Sequence, residues 1–207
     1  ISTSDEDPER LQDWKLFLPH VRMVGGEPRL LTRFSDLTGK PPVLLAGMTP
    51  TTVDPGIVAA AANAGYWAEL AGGGQVTAEV FDANMDRLSG LLQEGRSIEF
   101  NAMYMDRYLW GLQFGSSRIV PRRRAAGAPI DGVVVSAGIP ALDEATRLVR
   151  ALQAEGFPHV AFKPGTAEQI RQVAALAREV APAPILMAVA GGPAGGPQPR
   201  DCLAHPP

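Results

Sequence analysis

From Lys40 onward, short apolar runs alternate with longer segments whose apolar residues recur every three or four positions. Val43-Leu44-Leu45-Ala46-Gly47-Met48 is a compact apolar run suited to a strand buried on both faces. Asp54 and Pro55 suit the N-cap and first position of a helix. An alanine-rich helix is expected over Ile57–Ala64, with Gly65 as its stop. Trp67–Ala71 reads as the next strand, ending in Gly72-Gly73-Gly74. Thr77 then caps a helix carrying Val80, Met85, Leu88, Leu91 and Leu92 and closed by Gly95. Ile98–Tyr104 is a third strand, and Gly111, Gly115 and Pro121 break Asp106–Ala126 into two short helices. Gly132–Gly138 is a fourth strand and its end, followed by a helical stripe of Leu142, Ala145, Leu148, Val149 and Leu152. His159–Gly165 is a fifth strand and loop. Thr166 and Gln169 form a capping box for a helix buried along Ile170, Val173, Leu176, Ala177 and Val180. Pro184–Val189 is a sixth strand.

The strand ends recur at roughly the span of one strand–helix unit. The fold class is therefore α/β, with a parallel sheet that is either open and doubly wound or closed as an eight-stranded barrel. In both, the functional loops leave the carboxyl ends of the strands. The residues before Lys40 are polar and then mixed. Leu16-Phe17-Leu18 and Leu30-Leu31 suit short strands or packing arms and carry no chemistry.

Composition narrows the function classes. The 207 residues are 45% hydrophobic and 20% charged with a formal net charge of -3, which is ordinary globular composition with no basic surface for nucleic acid. Arg122-Arg123-Arg124 reads as a solvated helix face. The single Cys202 excludes an internal disulfide framework and a multi-cysteine metal site. No apolar run reaches the about 20 residues of a membrane helix. The start, Ile1 to Asp7, has no initiator Met and no signal pattern, so a piece of a longer, cytoplasmic polypeptide is expected.

The strand ends carry the candidate chemistry. They are Gly47-Met48-Thr49-Pro50, Gly72-Gly73-Gly74, Asn101, Ser136-Ala137-Gly138, Lys163-Pro164-Gly165 and Gly191-Gly192. Small residues let backbone amides approach a flat ring or a phosphate, although turn geometry alone also selects glycine. Asn101 offers a donor and an acceptor, and Lys163 a positive charge. Glu69 reads as structural, His159 as a surface or packing residue, and Met48, Met103, Met105 and Met187 as core filler. There is no metal-ligand spacing, no Walker loop and no G-x-G-x-x-G opening a first helix. Together the set reads as a cofactor-binding mouth.

The runs Leu44–Val53 and Asn63–Gly74, followed in order by Phe100-Asn101, Ser136–Pro140 and Phe162–Thr166, resemble the enoyl reductase domain of type I fatty acid synthases, especially the single-chain actinobacterial and mycobacterial type. The resemblance covers about residues 25–187. It implies a TIM-type barrel, related to nitronate monooxygenases, that binds FMN at its strand ends. It also implies hydride transfer from NADPH through FMN to a trans-2-enoyl chain on acyl carrier protein. Carried onto matching positions, Gly47, Met48, Thr49, Gly72 and Gly73 would line the flavin. Asn101 would hydrogen-bond it, Ala137 and Gly138 would pack on it, and Lys163 would face its electron-rich edge. Gly191 and Gly192 would complete the glycine frame. The other synthase domains are the implied partners, and the parent is expected to be a homo-oligomer.

The match fails after the sixth strand. Family members carry a histidine loop there, whose place is taken by Pro197 and Gln198, neither of which donates a proton near neutral pH. The expected division is an N-terminal arm over 1–38, an incomplete FMN-binding barrel of about six units over 39–192, and a patternless Pro-rich tail over 193–207. An out-of-frame end is the hypothesis for that tail, decided by resequencing the coding DNA. The alternatives are a stand-alone FMN oxidoreductase of the nitronate monooxygenase type and a non-catalytic fragment.

Overall fold

The computed structural model describes Lys15 and residues 18–189, which fall into two compact units divided between Leu44 and Leu45. Leu16 and Phe17 lie outside the described residues.

The first unit holds an antiparallel hairpin, β1 (His20–Val24) and β2 (Glu27–Leu31), turned by Gly25 and Gly26 at positive φ, and a short helix, α1 (Arg33–Thr38). Leu30 and Leu31 are thus strand residues. Thr32 caps α1 by accepting the Ser35 amide at 3.3 Å.

From β3 (Leu44–Leu45), at whose middle the division falls, strand and helix alternate: α2 (Pro55–Asn63), β4 (Trp67–Ala71), α3 (Ala78–Leu91), β5 (Ile98–Met103), α4 (Arg107–Gln113), α5 (Ile119–Ala125), β6 (Ile130–Ser136), α6 (Leu142–Ala154), β7 (His159–Phe162), α7 (Ala167–Glu179) and β8 (Leu186–Met187). The six strands form one curled sheet in sequential order, and every ladder from β4 to β8 is parallel. Six strands of an α/β half-barrel are therefore present among the described residues.

Local chemistry explains the boundaries. Asp54 accepts the Gly56 amide at 2.6 Å, Thr77 the Val80 amide at 3.2 Å and Thr166 the Gln169 amide at 3.1 Å. The Gln169 side chain reaches back to the Gly165 amide at 2.7 Å, one residue beyond the usual capping-box partner. Gly65 follows α2 at φ +87°. Thr77→Ala is expected to lower stability by about 1 kcal/mol, because it orphans an amide of the first turn of α3; urea denaturation reads the loss.

Four expectations need correction. α3 ends at Leu91, not at Gly95, because Asn63 accepts the Gln93 amide at 2.8 Å and donates to the Leu91 carbonyl at 2.9 Å, closing the helix early. On α3 the buried residues are Phe81, Met85 and Leu88, while Val80 and Leu91 face solvent. The run at 43–48 forms a two-residue edge strand rather than one buried on both faces, and β8 at the other edge is equally short. Of the three arginines only Arg122 is exposed. Arg123 pairs with Asp82 at 3.7 Å and with Asp86. Arg124 lies 4.7 Å over the Phe157 ring, pairs with Asp131 at 3.6 Å and donates to the carbonyls of Ile130 and Gly156. Their long side chains span from α5 to neighbouring elements, which a sequence cannot show.

The sheet separates two chemistries. Leu70, Phe100, Val133 and Val160 stand in register across β4–β7 and belong to the core formed with Phe81, Met85, Leu88, Val149, Leu152 and Val173 of the helices. Side chains alternate faces along a strand. The opposite face therefore carries Glu69, Glu99, Gly132 and His159 as one row and Ala71, Asn101, Val134 and Ala161 as the next.

Candidate functional site

The carboxyl ends of the strands are built around a buried polar row. Glu69, 1% exposed on β4, accepts hydrogen bonds from the Gly47 amide at 2.7 Å and from Asn101 Nδ2 at 2.6 Å on Oε2, and from Trp67 Nε1 at 3.0 Å on Oε1. Ser136 Oγ donates to Asn101 Oδ1 at 2.7 Å and also lies 2.9 Å from the Ala102 carbonyl. One row thus joins the turn after β3 to β4, β5 and the end of β6.

Several expected site residues meet here through close backbone approach. A Cβ at Gly47 would lie 2.5 Å from the Cβ and Cγ of Asn101. One at Gly72 would lie 2.6 Å from the Asn101 carbonyl, and one at Gly73 would lie 2.5 Å from Thr49 Oγ1 and 2.9 Å from Met103 Sδ. The space that a side chain would need at these glycines is filled by the protein itself. The first turn is held from within as well, since the Met48 amide donates to the buried Thr52 hydroxyl at 2.7 Å. Asn101 is 4% exposed, so its amide is spent mainly on Glu69 and Ser136.

The fourth strand end bends sharply. Ala137 takes φ +54°, a region a non-glycine residue enters at a cost of about 1–2 kcal/mol, and Gly138 follows at φ +120°. Beside it the Tyr104 hydroxyl donates to Glu144 Oε2 at 2.8 Å. That bond, with burial, holds the phenol above its ordinary pKa. Lys163 follows β7, half-buried, and its ammonium forms no ion pair among the described residues.

The methionines contradict their expected role. Met48, Met105 and Met187 are 47%, 74% and 36% exposed and are not core filler. All three follow or end strands at the carboxyl edge, as does exposed Val189, so apolar side chains line the mouth rather than the interior. His159 is a packing residue, its ring 5.5 Å from that of Trp67 and its Nδ1 3.9 Å from Glu99 Oε1. Glu69 reads from the sequence as structural, and the fold makes it the hub of this row. Its one signal was a carboxylate inside an otherwise apolar strand, Trp67-Ala68-Glu69-Leu70-Ala71. Gly191, Gly192, Pro197, Gln198 and Cys202 lie outside the described residues.

No protein-family model matches the chain. It is 39% identical over 180 residues to the fatty acid synthase beta subunit aflB of Emericella nidulans, an alignment covering 87% of this chain and 8% of that protein. It is 36% identical over 178 residues to the fatty acid synthase subunit beta of Saccharomyces cerevisiae, covering 85% and 8%. Against fatty acid synthase 2 of Mycosarcoma maydis it is 38% identical over 187 residues, covering 89% and 5%. The chain is homologous to one segment of fatty acid synthase subunits. It spans 5–10% of the length of the curated relatives it matches. These relatives are fungal. The shared segment, at 85–89% of this chain, is long enough to take in most of the strand ends described above.

No group of three or more His, Cys, Asp or Glu among the described residues is placed to hold a metal ion, and no described helix is long and apolar enough to cross a membrane.

Proposed function

We propose that this chain is the FMN-holding part of an enoyl-[acyl-carrier-protein] reductase region within a fatty acid synthase. The observation that carries it is the carboxyl edge of the parallel sheet. A Lys163 cation with no ion pair among the described residues, exposed Met48, Met105 and Met187, and tightly turned backbone at 47–49, 72–73 and 137–138 all lie along that one edge. A flat, partly apolar ring bearing a phosphate suits such a mixture of apolar side chains, tight backbone turns and one cation. Homology to synthase subunits favours this reading over a stand-alone oxidoreductase.

In this reading the turn over Gly47, Met48 and Thr49 and the turn over Gly72 and Gly73 border the ring. Ala137 and Gly138 give it a flat wall, and Lys163 places its ammonium beside the electron-rich edge. Gly191 and Gly192 would extend the glycine frame. When bound, FMN supplies the hydride chemistry, from NADPH to the β-carbon of a trans-2-enoyl chain carried on acyl carrier protein. The chain's own residues orient the ring and balance its charge. Partner domains of the synthase would bring the carrier protein.

The test is the visible flavin absorbance of the purified chain after incubation with FMN. Binding is expected, and Lys163→Met is expected to weaken it about 10-fold, the scale of one lost hydrogen bond to a charged group. A colourless preparation overturns the proposal in favour of a non-catalytic segment, and equal affinity in the variant overturns the role of Lys163.

A further inference from the structure

Among the described residues, every partner of the Glu69 carboxylate is an N–H donor: the Gly47 amide, Asn101 Nδ2 and Trp67 Nε1. We propose that Glu69 is the positioning residue of this site, fixing both the first strand-end turn and the direction in which the Asn101 amide points. The inference rests on the flavin-site reading for its functional meaning, but its structural content stands on these contacts alone.

The hydrogen-bond inventory shows why. Asn101 has a donor end and an acceptor end that are nearly equal in shape. With Oδ1 turned toward Glu69, two acceptors would face each other at 2.6 Å, so the nitrogen must face the carboxylate. Oδ1 then faces Ser136 Oγ at 2.7 Å, and the one hydroxyl proton of Ser136 is drawn to it in competition with the Ala102 carbonyl at 2.9 Å. The polarity of the row therefore runs outward from Glu69. The same Oε2 that orients Asn101 also holds the Gly47 amide, and Gly47 lies flat on the Asn101 side chain because it has no Cβ. One atom thus sets the position of the turn and its support together.

A glutamine at 69 has the same size but cannot serve three donors. If its oxygen takes Gly47 and Asn101, its NH₂ faces the Trp67 N–H across 3.0 Å; if it turns the other way, its NH₂ faces the Gly47 amide. In the second arrangement Asn101 reverses and Gly47 loses its acceptor. Removing the indole donor with Trp67→Phe relieves the first conflict and lets the glutamine oxygen serve Gly47 and Asn101.

The experiment uses the full chain in four forms: wild type, E69Q, W67F and the E69Q/W67F double variant. Amide exchange at Gly47 and FMN affinity are measured for each. E69Q is expected to speed Gly47 exchange at least about 10-fold and to weaken FMN binding about 10-fold, the lower end for loss of a residue supporting a ligand site. The double variant is expected to return both close to W67F values, a rescue that general destabilisation would not produce. Unchanged Gly47 exchange in folded E69Q overturns the proposal. So does unchanged FMN affinity when wild type binds FMN. If E69Q does not fold, the double variant decides: Gly47 protection matching W67F supports the proposal, and its loss overturns it. A wild type that binds no FMN overturns the flavin reading, and the positioning role is then judged on Gly47 exchange alone.

Discussion

Phe100→Ala is expected to lower the unfolding free energy by about 3–5 kcal/mol, the range for emptying a phenylalanine site in a close-packed core. Phe100 is fully buried on the helix side of β5. Its ring meets Phe81 edge-on at 5.5 Å and Phe114 at 6.0 Å, and Phe114 in turn packs on Trp110 at 5.3 Å. Truncation removes the apolar burial and the middle of an aromatic row that joins α3, β5 and the end of α4. The surroundings have little freedom to collapse, because Leu70 and Val133 on the flanking strands are locked by their ladders. A urea midpoint that falls without a change in slope would show this loss. A loss below about 1 kcal/mol would show that the core relaxes and that the row does not act as a unit.

Gly47→Ala is the second large effect. It should destabilise the chain by about 1–3 kcal/mol through overpacking and abolish FMN uptake. The new methyl would stand 2.5 Å from Asn101 Cβ and Cγ, and 2.7 Å from Nδ2. Asn101 cannot swing aside without breaking its bonds to Glu69 and Ser136, and the Gly47 backbone cannot withdraw without losing its own bond to Glu69. Either movement leaves a buried polar group without its partner, which costs about 1–3 kcal/mol. Thermal unfolding and flavin absorbance measure the two consequences on one preparation. Normal stability together with normal FMN uptake would show that the turn has room that the row does not suggest.

The two expectations differ in how far they could be read in advance. Phe100 stands in an apolar strand, and its burial follows from the alternation of strand and helix. The conflict at Gly47 arises only because Asn101, more than fifty positions later in the chain, lies across it. The exposed methionines show the same limit. Composition favours Met48, Met105 and Met187 as interior residues, and only their places beyond the strand ends put them at the mouth. Arg123 and Arg124 look like a solvated triplet with Arg122 until α5 is set beside Asp82, Asp86 and Asp131.

By itself the sequence determined the order of strands and helices, the caps at Asp54, Thr77 and Thr166, and the edge of the sheet at which small residues gather. Each is a local matter, decided within a few residues by side-chain period and by hydrogen bonds to nearby amides. Only the tertiary structure decided what those small residues are for. The bonds that join Gly47, Glu69, Asn101 and Ser136 span 22, 32 and 35 positions, so they exist only after parallel strands have been brought side by side. A carboxylate in an apolar strand signals that donors must converge on it, because burial without them is too costly. Which donors converge is a property of the fold.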